Sequence, residues 1–131
     1  MRSWGRSGIV ALLLAGPAMA DERIASTDVR EVCAENGRPG SAYSRAHRVV
    51  MRRSVPGMIL DHRIPLCVGG ADVDANIQIQ TKAAAADKDR LEWYACREVC
   101  RHHRLGLAEA QGFFTGDWRA AYTKVFGEVA R

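Results

Sequence analysis

Apolar residues fall along the chain in runs of different period, and each run predicts a different element. Ile9 to Ala15 is an unbroken apolar stretch, preceded by Arg2 and Arg6 and followed by Ala18-Met19-Ala20. That layout is the one a cleaved secretory leader needs, and it predicts processing before Asp21. A membrane-spanning helix would need about 20 apolar residues, and Pro17 interrupts this run far short of that. Residues 1–20 are therefore expected to be a signal peptide, leaving Asp21 to Arg131, 111 residues, as a single domain with one modest core.

Ile24 to Cys33 predicts a short helix with Ser26 or Thr27 as its N-cap, broken by Asn36-Gly37-Arg38-Pro39-Gly40. Ser44 to Arg53 fits a helix or a strand, and Pro56-Gly57 ends it in either case. Met58 to Cys67 is dominated by apolar and β-branched residues around one Asp-His pair and predicts a strand, with Pro65 requiring an edge position or a bend. Gly69-Gly70 opens a turn, and Asn76 to Gln80 alternates polar with apolar as a half-buried strand does. Ala83 to Arg104 lacks Gly and Pro and predicts a helix of about 30 Å. Leu107 to Val129 predicts further helix, divided by Gly112, Gly116 and Asp117. The fold class expected is α+β: a hairpin on a long helix, with flanking helices.

Charge adds a local feature rather than a global one. Removing Arg2 and Arg6 lowers the formal net charge from +4 to +2, so the total implies no partner. Between Glu35 and Asp61, however, there is no acidic residue, while Arg38, Arg45, Arg48, Arg52, Arg53 and His47 all fall there. Such a stretch is either a solvated face or a site that neutralises phosphates. The four cysteines, Cys33, Cys67, Cys96 and Cys100, all lie after the leader, and an even count in a short exported chain predicts two disulfides. A structural zinc would favour two close pairs, and only Cys96 and Cys100 are close.

The candidate chemistry centres on Asp61 and His62. Phosphodiester hydrolysis needs an activated water, neutralised phosphoryl oxygens and a stabilised leaving oxygen; a neutral histidine meets the first need and a hard divalent cation the other two. Adjacent strand residues point to opposite faces, so sharing one cavity would call for a bend near Pro65. Asp61 to Gly70 (DHRIPLCVGG), then Asn76 to Gln80 (NIQIQ), then Lys88 to Glu92 (KDRLE) resembles the HNH endonuclease family. The likeness is closest to its small exported bacterial members, whose pattern runs DH-x-I/V-P-L-x-x-GG, N-L/I-Q-x-Q and KD-x-x-E. It covers Leu60 to about Cys100, and reaches loosely to the Arg-rich stretch before and to Ala110-Gln111 and Asp117-Trp118 after.

The resemblance implies a ββα-metal core in which His62 is the general base and Asp61 a metal ligand. Asn76 would orient His62 or brace the loop between the strands. Arg45 and Arg48 would contact phosphates. The family's helical ligand, usually His or Asn, is replaced here by Asp87 or Asp89. Asp89 shares a helix face with Trp93, Cys96 and Cys100, expected to pack on the hairpin, whereas Asp87 lies on the far side. Asp89 is therefore the expected ligand, with Glu92 supporting from one turn further along.

The same face points Cys96 and Cys100 toward the hairpin, so Cys33 and Cys67 are each expected to pair with one of them, in either order. His102 and His103 are expected to serve the helix's C-terminal dipole rather than a second metal site, and the aromatics, Trp93 included, to pack in the core rather than to stack on bases. The expected cofactor is a divalent metal cation, magnesium foremost, with calcium and manganese as alternatives. The expected protein is a monomeric, periplasmic or secreted endonuclease, free of any membrane anchor after cleavage, which hydrolyses DNA, or RNA as well, with little sequence preference. The rivals are a nucleic-acid-binding module without catalysis and a disulfide-stabilised structural domain.

Overall fold

Four helices and one two-stranded antiparallel sheet make up the regular structure of the described residues, an α+β arrangement. The computed structural model describes residues 19–36 and 55–131. The Ile9 to Ala15 apolar run, the Ser44 to Arg53 segment and, with it, Arg45 and Arg48 lie outside them. In chain order the elements are α1 (Val29–Asn36), β1 (Ile59–His62), β2 (Ile77–Gln80), α2 (Lys82–Cys100), α3 (Leu107–Thr115) and α4 (Trp118–Phe126).

Helix α1 starts five residues after Ile24, later than the hydropathy pattern predicts, and its cap is neither Ser26 nor Thr27. Asp28 fills that role, its Oδ1 accepting from the Arg30 amide at 2.8 Å. Ile24 instead bridges Gly70, with the Ala25 amide on the Gly69 carbonyl and the Ala71 amide on the Arg23 carbonyl, both at 2.8 Å. This backbone-to-backbone crossing accounts for Gly69-Gly70. A Cβ on Gly70 would collide with the Ile64 carbonyl, and Gly69 sits at φ +85° against the Ser26 carbonyl.

Strand β1 stops at His62, short of Cys67, because the chain turns at Pro65 into a single 3-10 turn over Leu66–Val68. It pairs with β2 in the register Ile59 to Gln80, Leu60 to Ile79, Asp61 to Gln78 and His62 to Ile77. Helix α2 follows at once, its first turn capped by Thr81 Oγ1, which accepts from the Ala84 amide at 3.2 Å. It ends at Cys100, four residues before Arg104: the amides of Arg104 and Leu105 turn back onto the Glu98 carbonyl, with His103 at φ +53° between. Gly116-Asp117 separates α3 from α4 as expected, Asp117 capping α4, but Gly112 lies within α3 and interrupts nothing.

The core joins Val32 of α1, Ile64 and Val68 after β1, Leu91, Ala95 and Val99 of α2, and Phe113, Phe114, Trp118 and Tyr122 of the last two helices. Most of the aromatics are core, as expected; Trp93 is the exception at 63% exposed. The inward stripe of α2 runs through Ala84, Lys88, Leu91, Ala95 and Val99, offset by roughly 130° from the Asp89, Trp93 and Cys96 face expected to pack on the hairpin. Both disulfides expected from the sequence form: Cys33 with Cys100 and Cys67 with Cys96, at Cα separations of 5.3 and 5.6 Å. They fasten α1 and the turn after β1 to α2. Among the described residues no helix is long and apolar enough to cross a membrane.

Candidate active site

Asp61 and His62 are the last residues of β1, and the register places them on opposite faces of the hairpin. Asp61 looks toward α2 together with Gln78 opposite and Gln80 diagonal to it. Gln80 Nε2 donates to Asp61 Oδ2 at 3.0 Å. Into the same face comes Lys88, which has no exposed surface. Its Nζ donates to Asp61 Oδ2 at 2.7 Å, to the His62 carbonyl at 2.7 Å and to Glu92 Oε1.

An ammonium has three protons, and here each has an acceptor. That is what makes burial of the charge tolerable, since an unpaired buried ion costs several kcal/mol. The Phe114 ring, its centroid 5.4 Å from Nζ, closes the pocket from the side of α3. Lys88 therefore ties α2 to both terminal residues of β1. Both hydrogen bonds to the Asp61 carboxylate fall on Oδ2.

Three carboxylates share the field around that ammonium. Glu92, one turn beyond Lys88, is pushed up to about 7, chiefly by burial and further by the charges of Asp61 and Asp89, with Lys88 opposing. Asp89 is raised in turn, by burial first and then by the Asp61 charge. Asp61 and Asp89 are thus near enough to repel each other across the junction of hairpin and helix. Asp87 is held elsewhere: the Arg131 guanidinium and amide grip its carboxylate at 2.7 Å each, bringing it down to about 2. Of the two candidate helix ligands, Asp87 is engaged by Arg131, while Asp89 is exposed and feels the charge of Asp61.

His62 is buried and engages Asp72, with Nε2 3.1 Å from Oδ1. A neutral ring facing a carboxylate carries its proton on Nε2, which leaves Nδ1 as the basic nitrogen. Asn76, fully buried, braces the loop between the strands. Its Oδ1 accepts from the Ile64 amide, and Nδ2 donates to the carbonyls of Ile64 and Ala71, all at 2.9 Å. Its amide is spent on the loop rather than on the imidazole.

The structure therefore links Asp61 to Glu92 through the Lys88 ammonium, and His62 to Asp72. Among the described residues no hydrogen bond joins the imidazole to the three carboxylates, and no three His, Cys, Asp or Glu side chains stand together as a metal-ligand group. Sequence reasoning named Glu92 but missed Lys88, Asp72 and Gln80 as site residues. Two signals could have found the first two: the Lys-to-Glu spacing of four, which pairs side chains on one helix face, and an acid in the turn after Gly69-Gly70. Compared with protein-family models, with curated proteins and with solved structures, the chain matches none.

Proposed function

We propose that the protein is an exported, metal-dependent endonuclease of the HNH kind, hydrolysing phosphodiester bonds in DNA or RNA with little sequence preference. The observation that carries this is the end of β1, where an acid and a histidine are neighbours, each held by its own partner, Asp61 by Lys88 and His62 by Asp72. Strand, glycine turn, strand and long helix also follow one another in the order such a site requires.

The donors suit a hard cation. Magnesium is commonly held by one or two carboxylates, with phosphate and water oxygens completing the set, so Asp61 and Asp89 suffice as protein ligands. Asp89 is raised by burial first and by the Asp61 charge second, and a nearby cation would oppose both. A bound cation would supply charge neutralisation for the phosphoryl and leaving oxygens.

The chain's own residues do the rest. Lys88 and Gln80 hold Asp61 by Oδ2, fixing the carboxylate's orientation. Asp72 fixes the ring of His62, whose Nδ1 takes the proton of the attacking water. Because the two side chains leave opposite faces of the strand, a phosphodiester lying across the end of β1 would meet carboxylates on one flank and the imidazole on the other. Asn76 holds the loop that carries Asp72.

A second reading, a binding domain without chemistry, draws on one observation: Lys88 already compensates Asp61 and Glu92. One experiment separates the two. Supercoiled plasmid incubated with the oxidised protein and magnesium is expected to be nicked, and the nicking is expected to stop with chelator and in His62→Ala. Nicking that persists in His62→Ala, or no nicking at all, overturns the proposal.

A further inference from the structure

Beyond the reacting groups, the face of α2 that carries Asp89 continues into a feature the proposed chemistry does not use. Asp89, Trp93, Arg97 and Arg101 follow one another at four-residue intervals, about 6 Å apart along the helix. Trp93 stands 63% exposed, whereas Trp118 is buried in the core. The Arg97 guanidinium lies 4.1 Å from the Trp93 ring centroid, backing one face of the indole. Arg90, Arg104 and Arg131 are paired with Glu128, Glu98 and Asp87, but among the described residues Arg97 and Arg101 have no carboxylate partner. The ladder thus runs from Asp89, through a braced aromatic surface, to Arg97, whose guanidinium also reaches His102 Nε2 at 3.1 Å, and to Arg101, which has no ion-pair partner among the described residues.

We propose that Trp93 is a stacking platform for an unpaired base of the nucleic-acid substrate, with Arg97 and Arg101 attracting the phosphates of the same strand. This rests on the nuclease assignment and names its substrate class as single-stranded or locally unpaired nucleic acid. Two features select that occupant. Trp93 stands one helical turn from Asp89, so a strand that leaves the proposed site along α2 would pass the indole. Its charge beyond the indole is positive, which suits a polyanion. A base inside a duplex has both faces covered by its neighbours, so only a released base offers a face to an indole.

The test measures binding with chelator present, so that cleavage does not intervene. A labelled oligothymidylate is titrated with wild type, Trp93→Ala and Trp93→Phe, alongside a hairpin duplex of similar length. Loss of a base-stacking aromatic is expected to weaken single-strand binding about ten-fold or more in Trp93→Ala. Trp93→Phe is expected to keep most of the affinity, and duplex binding is expected to change little. Equal single-strand affinity for wild type and Trp93→Ala overturns the platform, whatever the protein cuts. Wild type that binds the oligonucleotide through Trp93 yet cleaves nothing in magnesium overturns the nuclease assignment and leaves the platform standing.

Discussion

Lys88 Nζ lies 2.7 Å from Asp61 Oδ2 although Lys88 has no exposed surface, so an ammonium buried in the core is what holds the acid at the end of β1. Its remaining protons reach the His62 carbonyl and Glu92. Lys88→Met keeps the length of the side chain and removes its charge. It leaves Asp61 and Glu92 uncompensated in a partly buried site, and is expected to destabilise the oxidised protein by on the order of 3 kcal/mol. Urea unfolding at neutral pH measures this; a midpoint within error of wild type would show that the ammonium contributes no net stability.

Glu92 gives stability a pH dependence of definite sign. Its carboxyl is raised from 4.5 to about 7 in the folded protein, so the folded state holds the proton more tightly than the unfolded chain. The contribution is complete below about 4.5 and is lost as pH climbs through about 7. With chelator present, unfolding free energy is expected to fall by about 2–3 kcal/mol between about pH 4.5 and about pH 8 from this group. Glu92→Gln is expected to flatten that slope. An unchanged slope in the variant would assign the dependence to another residue.

Asp72 is expected to matter to turnover more than to folding. Its half-buried carboxylate meets His62 Nε2 at 3.1 Å, so Asp72→Asn keeps a hydrogen-bonding group there while losing the charge that orients the ring. The expected result is a roughly ten-fold fall in kcat with KM and Tm little changed, against a loss of about a hundred-fold or more in His62→Ala. Equal kcat for Asp72→Asn and wild type would make the His62 to Asp72 contact structural only.

Much of this architecture is legible in the sequence because local chemistry and tertiary demand agree. The alternation at Asn76 to Gln80, the unbroken helix formers from Ala83 onward and the Gly116-Asp117 break all appear where the sequence places them. Cys33 and Cys67 each pair with one cysteine of α2, as the even count and the close spacing of Cys96 and Cys100 suggest. Disagreements arise where a distant partner decides. Ile24 looks like helix because it is apolar, but its backbone is claimed by Gly70, forty-odd residues on. The inward face of α2 differs from the expected one because a lysine stands at its centre, and nothing in hydropathy predicts a buried lysine without knowledge of its acceptors on β1. Trp93 looks like core for the converse reason: an apolar ring at helical spacing gives no sign that Arg97 holds it in the open.

The two disulfides should separate stability from activity. Cys33–Cys100 spans 67 residues and Cys67–Cys96 spans 29. Loop-closure entropy assigns about 4 kcal/mol to the first and about 3.5 kcal/mol to the second, so paired Ser variants of either bridge are expected to lose similar stability. Their positions differ in consequence. Cys67 lies in the 3-10 turn that follows His62, and its bridge to Cys96 clamps that turn to the helix bearing Lys88 and Asp89. Cys33 and Cys100 join α1 to the far end of α2, roughly five turns from Thr81 and away from the site. At a temperature where both variants remain folded, the Cys67→Ser/Cys96→Ser protein is expected to lose most plasmid nicking. The Cys33→Ser/Cys100→Ser protein is expected to retain it. Circular dichroism at the assay temperature confirms folding, and equal retention of nicking by both variants would mean that the clamp after β1 does not position the site.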